Sequence, residues 1–322
     1  MKECPIKPRN AAFFLDTMQV HYQTSAFNPS GATAVTIGTF DGVHKGHVEI
    51  IRQLKRSAEQ RNLETTILTF HPHPRKVVRT GDPNLGLLTT VEERIEQLKA
   101  LGLHHLIVQS FNEEFSRLSP FEFVRDILVR DLNVDTLIIG HDHRFGRNRE
   151  GNFQSLFELS ETFGFRLQEI PAQLTDGVRV SSTKIRQALF AGQMDQVENF
   201  LGRRYTLNGE VITGDGRGRS IGFPTMNLKC DEDKMLPGIG VYAVTANLQE
   251  VTYRGVMNVG RRPTFKQDDA IHVEVHLPEF VGEAYGLWLS IEVDFKIRGE
   301  EKFASVEALS RAIRKDIEVA MQ

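Results

Sequence analysis

Gly38-Thr39-Phe40-Asp41-Gly42-Val43-His44-Lys45-Gly46-His47 decides the fold of this chain. On one side lies an apolar run, Val35 to Phe40, and on the other a helical pattern with apolar positions at Val48, Ile51, Leu54 and Ala58. The pattern predicts a strand over Thr33–Phe40 and a helix over Lys45–Arg61. Glycines between a strand and a helix start, here Gly38, Gly42 and Gly46, let backbone N–H groups approach a phosphate closely. His44 and His47, on the helix entry, can hydrogen-bond phosphate oxygens or stabilise charge on them. The arrangement suits a nucleoside triphosphate under attack at its α-phosphate. A glycine-rich turn with two surface histidines would be spelled the same way, so other segments have to decide.

Working outward, strand and helix patterns alternate to about Phe200. Strand-like runs recur at Glu64–Phe70, His105–Gln109, Asp135–Gly140 and Phe165–Ile170, with helical runs at Val91–Leu101, Phe121–Leu132 and Phe153–Phe163. Such alternation predicts βαβ units and a parallel sheet covered on both faces. Ligands of such sheets bind at the carboxyl ends of the strands. Three unusual segments follow strand ends: the opening one, Phe70-His71-Pro72-His73-Pro74, and Gly140-His141-Asp142-His143-Arg144-Phe145-Gly146. The prolines beside His71 and His73 favour a shaped pocket wall over a metal site. After Phe200 the rhythm changes to strands with short turns, at Val241–Ala246, Val251–Val259, His272–Val275 and Leu287–Val293, and a single late helix at Ser305–Met321. That pattern predicts an antiparallel barrel or sandwich capped by a helix. The expected chain is therefore α/β, with a Rossmann-like parallel-sheet domain over 1–198 and an antiparallel domain over 199–322.

Bulk composition narrows the function. At 322 residues two domains are expected. A net charge of −3, from 39 basic and 42 acidic side chains, argues against electrostatic nucleic-acid binding. The only cysteines, Cys4 and Cys230, have no metal-ligand spacing and suit a reduced, cytoplasmic setting. No stretch approaches the 18 or so apolar residues of a membrane helix. No Gly-Lys pair exists to build a Walker A loop, and no Gly-x-Gly-x-x-Gly to build a dinucleotide fingerprint.

Two further segments carry chemistry. In Arg179-Val180-Ser181-Ser182-Thr183-Lys184-Ile185-Arg186, serine and threonine at a helix start can cap the backbone and offer hydroxyls to an anion, with Arg186 in reach of a phosphate at that end. An ordinary helix cap with two solvated cations is the plain alternative. Between Gly214 and Gly222 four glycines fall in nine residues, which suits a loop lying close to phosphates, and Pro224-Thr225-Met226-Asn227 follows. Thr225 and Asn227, two apart in extended backbone, project to one side and offer neutral oxygens. Such oxygens suit a Mg²⁺ ion held mainly by water and ATP phosphates.

Gly38–His47 together with Ser181–Arg186 resembles the nucleotidylyltransferase superfamily, and Phe40-Asp41-Gly42 with Gly140–Gly146 resembles its bacterial FAD synthetase branch. The pattern departs at His143, where the family carries an aromatic, usually Phe. The segment Gly214–Asn227 resembles the riboflavin kinase family, as do Gly255–Gly260, Arg262-Pro263-Thr264 and Arg298 with Glu300, Lys302 and Phe303. The order of the halves is that of bacterial bifunctional riboflavin kinase/FAD synthetases. The resemblance implies a nucleotidylyltransferase-like first domain, a kinase barrel with a terminal helix, and two reactions. Riboflavin and ATP would give FMN, and FMN with a second ATP would give FAD and pyrophosphate.

The resemblance also implies site residues. His44 and His47 would stabilise triphosphate charge, with Gly38, Phe40, Asp41, Gly46, Arg179, Ser182, Thr183 and Arg186 around ATP. Phe70 and Asp142 would face flavin or nucleotide. In the second half Gly214, Gly218 and Gly222 would lie on ATP, Thr225 and Asn227 on Mg²⁺, and Glu274 would be the catalytic base. Arg298 would close the flavin site, or else form a surface ion pair. Three other readings stay open on the residues alone. One half could be active and the other only structural, although both halves carry intact motifs. The opening motif permits transfer to a different phosphorylated acceptor, and a flavin-sensing protein without turnover would need neither Glu274 nor His44 and His47. No nucleic acid or membrane is expected as partner.

Overall fold

The structure is a computed structural model that describes residues 18–78, 82, 85–141, 143–172, 174–175, 177–214, 217–261 and 271–322. Asp142, Asp215, Gly216 and Arg262-Pro263-Thr264, singled out above, lie outside the described residues. The chain forms two compact units: one comprises residues up to 40, 47–83 and 91–172, the other residues 41–46, 84–90 and 173–322.

In the first unit six strands form one sheet: β1 Gln19–Tyr22, β2 Thr33–Ile37, β3 Glu64–His71, β4 His105–Ser110, β5 Val134–Gly140 and β6 Arg166–Ile170. Their order is β1-β4-β3-β2-β5-β6, and every pairing is parallel. Central β2 is buried along its whole length, as a strand covered on both faces must be. Helix Lys45–Arg61 buries Ile51, Leu54 and Ala58, the stripe its spacing predicts, with Val48 half-buried. Residues of Phe123–Asp131 and Phe153–Phe163 share a core with Val35, Ile37, Leu137 and Ile139.

Two details differ from the sequence reading. β2 ends at Ile37 rather than Phe40, because Phe40 sits at φ 47°, in the left-handed region that no strand uses. Edge strand β1 was not expected: Gln-Val-His-Tyr has no apolar run, and it exists because it pairs with His105–Val108 of β4.

The second unit holds a short hairpin, β7 Leu174–Thr175 with β8 Val178–Arg179, and a closed six-stranded antiparallel barrel. The barrel strands are β9 Tyr205–Ile212, β10 Met226–Cys230, β11 Gly240–Leu248, β12 Val251–Arg261, β13 Ile271–His276 and β14 Trp288–Arg298, in the order β10-β13-β12-β11-β14-β9, with β9 closing on β10. This settles barrel over sandwich. Inward positions alternate along β9 (Tyr205, Leu207, Gly209, Val211) and share one core with Val273, Val275, Leu289 and Ile291. The final helix, Val306–Ala320, is capped by Ser305, whose Oγ accepts from the Ala308 amide at 3.2 Å. Its Ile317 and Ala320 pack on Val241, Ala243 and Val256 of the barrel wall. Helices Ser182–Ala191 and Met194–Leu201 each end on a left-handed glycine, Gly192 and Gly202.

Candidate functional sites

The opening motif forms a tightly bent turn. Phe40, Gly42 and Val43 take φ of 47°, 84° and 38°. At Gly42 a side chain would be strained and its Cβ would lie 2.9 Å from Leu88 Cδ1, so only glycine fits. Two of these three residues are not glycine, and a non-glycine residue holds such a φ only where its surroundings over-determine it.

Asp41 supplies much of that determination. Its side chain is completely enclosed. Oδ1 accepts from the amides of Leu88 (2.9 Å) and Thr89 (3.0 Å) and from Thr89 Oγ1 (3.3 Å), while Oδ2 accepts from Arg186. Its main-chain oxygen accepts from Ser182 Oγ at 3.0 Å. Arg186 also donates from Nε to the Gly86 carbonyl at 2.7 Å. The turn, the 86–89 segment and the start of helix Ser182–Ala191 are thus tied around one carboxylate. Asp41 holds this assembly together.

Within the same unit His44 is buried, its ring close against Gly46. Ser181 caps helix Ser182–Ala191 (Oγ from the Lys184 amide at 3.4 Å), which leaves Thr183 in the first turn, and Arg179 sits on β8 opposite Leu174. A helix N-terminus of this kind carries partial positive charge and suits an anion.

Gly38, Phe40 and His47 belong to the first unit. The Phe40 and His47 rings stand 4.9 Å apart. Phe70 lies in the core of that unit, against Phe111 (5.6 Å) and Phe115 (5.8 Å), as a packing residue at the end of β3. The His71–Pro72 peptide is cis, and His73 caps a helical turn by accepting from the Arg75 amide at 3.1 Å. Among the described residues no three His, Cys, Asp or Glu side chains gather as a metal set. His143 stacks nearly parallel on Phe145, with centroids 6.1 Å apart, so it occupies the aromatic position of the family pattern as a flat ring.

The barrel carries a separate cluster. Asn227 on β10, Glu274 on β13 and Asn258 on β12 are direct cross-strand partners. Directly opposed residues share a face, with Cβ atoms about 4.5–5.5 Å apart. Their neighbours Val273, Val275, Leu228, Met257 and Val259 fill the core, so this row faces outward. Gly214 lies directly on it: a Cβ there would fall 2.0 Å from Asn227 Nδ2. At Gly218 a Cβ would meet the Phe223 carbonyl (2.3 Å) and Thr225 Oγ1 (3.1 Å), whereas Gly222 has open space around it. Two of the three expected glycines therefore permit close approach of loop backbone to Asn227 and Thr225. Beside the row, His276 donates from Nδ1 to the Pro224 carbonyl at 2.7 Å.

Arg298 is an ion-pair residue. It grips Asp316 of the final helix from Nε (3.0 Å) and Nη2 (2.8 Å), with side-chain exposures of 20% and 5%.

Sequence reasoning missed Asn258, His276 and the Leu88–Thr89 amides. Asn258 falls inside the family-like stretch Gly255–Gly260, but only the register puts it beside Glu274.

A parallel-sheet unit, a phosphate-type turn clasped to a capped helix, and an outward row of one carboxylate and two amides on a closed barrel define a nucleotidyl transferase joined to a kinase. Comparison with known proteins agrees. The family model for FAD synthetase matches residues 27–184 and that for riboflavin kinase matches residues 201–322. The bifunctional riboflavin kinase/FMN adenylyltransferase of Listeria monocytogenes is 38% identical over 88% of this chain and 89% of its own length. The Bacillus subtilis protein of the same name is 37% identical over 90% and 92%, and the Escherichia coli K12 protein 36% over 89% and 91%. A crystal structure described as a macrolide-efflux protein from Streptococcus pneumoniae matches with a TM-score of 0.86 and 28% identity, covering 94% of this chain and 99% of that one. Among the described residues no helix is long and apolar enough to cross a membrane. The chain belongs to the bifunctional riboflavin kinase/FMN adenylyltransferase family.

Proposed function

We propose that the barrel phosphorylates riboflavin and the N-terminal half adenylylates the FMN produced, with the residue roles below. The observation that carries the reading is the outward row Asn227–Glu274–Asn258 beneath Gly214.

In the barrel, the Glu274 carboxylate takes the proton of the ribityl 5′-hydroxyl as that oxygen bonds to the γ-phosphorus of ATP and ADP departs. Thr225 and Asn227 are the residues that would hold Mg²⁺. Their neutral oxygens, beside a loop packed on them tightly enough to require Gly214 and Gly218, fit an ion that keeps water and phosphate in its shell. When bound, Mg²⁺ offsets charge on the ATP phosphates. Gly214, Gly218 and Gly222 place loop backbone beside those phosphates. Arg298 acts at a distance from the flavin, by fixing the final helix through Asp316.

In the first half, an FMN phosphate oxygen bonds to the α-phosphorus of a second ATP and pyrophosphate leaves. The nucleophile is already anionic, so no base is needed, and the protein's task is to stabilise charge. His44, His47, Arg179, Ser182, Thr183 and the helix N-terminus do so, around a backbone bent at Phe40, Gly42 and Val43, with Gly38 and Gly46 on either side of the bend. Arg186 contributes through its pair with Asp41. Phe70 and Asp142 are assigned to the flavin or nucleotide by the family resemblance. The functional boundary falls at 198/199, between the two family matches. The substrates are riboflavin, FMN and ATP, and the reactions run in the cytoplasm, where ATP is supplied.

A chromatographic time course with riboflavin, ATP and Mg²⁺ tests this. FMN should rise and then convert to FAD. FMN accumulating without FAD would refute the adenylylation half, and the absence of any flavin product with ATP intact would refute both.

A further inference from the structure

Arg203 lies within the segment matched by the riboflavin kinase family, two residues before β9, yet its guanidinium serves the transferase turn. Nη2 donates to the Gly42 carbonyl at 2.7 Å and Nη1 to the Val43 carbonyl at 3.1 Å. Across a planar trans peptide the next N–H points opposite the carbonyl. Pinning these two carbonyls on one guanidinium therefore turns the amides of Val43 and His44 to the far side. It also fixes the backbone from which the His44 ring departs. Val43, held at φ 38°, needs such an external restraint.

Other groups beyond residue 199 grip the adjoining segment. Lys234, 6% exposed and 4.6 Å from the Tyr205 ring centroid, donates to the Leu88 carbonyl at 2.9 Å. The Leu87 amide donates to the Asp233 carbonyl at 2.7 Å, and the Met235 amide to the Leu87 carbonyl at 2.8 Å. Leu88 is the residue whose own N–H holds Asp41.

We infer that Arg203 is a positioning residue for FMN adenylylation: a side chain of the kinase half that sets the peptide planes at 42–44, and with them the amides and the His44 ring offered to the ATP triphosphate. It takes no part in riboflavin phosphorylation. This rests on the reading of Gly38–His47 as the triphosphate turn. A planar fork can hold two successive carbonyls where an ammonium can hold one at this geometry.

The test assays both half-reactions, with saturating FMN or riboflavin and varied MgATP, on full-length Arg203→Met, Arg203→Lys and the benchmark His44→Ala. Arg203→Met should raise the KM for ATP and lower kcat in adenylylation, cutting kcat/KM about tenfold to a hundredfold, while riboflavin phosphorylation stays within about twofold of the parent. Arg203→Lys should fall between. Parallel loss of both reactions would make Arg203 a general stability residue and overturn the inference, and so would unchanged adenylylation by Arg203→Met where His44→Ala has lost it. Full adenylylation by His44→Ala would instead refute the reading of the turn itself.

Discussion

The Asp41 carboxylate and the Arg186 guanidinium form a buried pair between residues 145 positions apart, the acid completely enclosed and the cation 12% exposed. Around that pair the turn, the 86–89 segment and the start of helix Ser182–Ala191 are drawn together. The acid's second oxygen is satisfied by two main-chain amides. Buried pairs add little against a hydrophobic replacement, but removing one partner leaves the other charge uncompensated.

Asp41→Ala should therefore lower stability by about 3–5 kcal/mol, because it strands Arg186 and two amides. Asp41→Asn keeps an oxygen for the amides and should lose less. Denaturant midpoints of the three proteins check this, and midpoints equal to the parent's would refute the clasp as a stabilising element.

Much of the architecture was legible before the structure, for reasons particular residues make plain. Ile51, Leu54 and Ala58 announce a helix because one face must be buried, and the full burial of β2 agrees with its short, uncharged, largely β-branched run Thr33-Ala34-Val35-Thr36-Ile37. Thr225 and Asn227 could be paired by strand alternation alone. What stayed hidden depends on contacts between distant positions. Nothing in the spelling of Phe40 says that it turns left-handed and ends β2, because the groups that hold the turn come from residues 86–89, 186 and 203. The partners of Glu274 were equally unreadable, since they depend on the register of three strands. β9 is a different case: its alternation was present in Tyr205–Ile212, but Gly209 and the polar positions between masked it.

Glu274 gives the sharpest separation of the two reactions. Glu274→Gln keeps the shape of the row and removes the base, so riboflavin phosphorylation should fall by about 10²–10⁴. FAD formation from supplied FMN should be unchanged. A rate of FMN formation within a few-fold of the parent would exclude Glu274 as base.

The Arg298–Asp316 pair makes a prediction that its two possible roles do not share. If Arg298 ties the final helix to β14, then Arg298→Met, Asp316→Asn and the double variant should form a non-additive cycle in stability, with a coupling of about 0.5–3 kcal/mol. The two single variants should also change the riboflavin KM alike. A large KM effect from Arg298→Met that Asp316→Asn does not reproduce would mean that Arg298 touches the flavin itself.

The start of the parallel sheet responds to pH through His104 and His21. His104 Nδ1 accepts from the Thr65 amide at 3.1 Å, so in the neutral ring the proton sits on Nε2, and protonation at Nδ1 destroys that acceptor. The pKa of His104 is held below 6.5, first by burial, then by neighbouring His105 and more weakly by Lys55, against an opposing pull from Glu64. His21, whose Nε2 lies 3.3 Å from His105 Nδ1, is lowered in the same way by burial and by His105. Because the folded pKa lies below the unfolded one, the folded state binds fewer protons in this range. The stabilisation is therefore present above pH 6.5 and is lost as pH falls through the folded pKa values. Urea midpoints measured from pH 8 to pH 5 should decline, and His104→Asn, which keeps an acceptor near Nδ1 and does not titrate, should flatten that decline. A decline of the same depth in His104→Asn would assign the pH dependence to other groups.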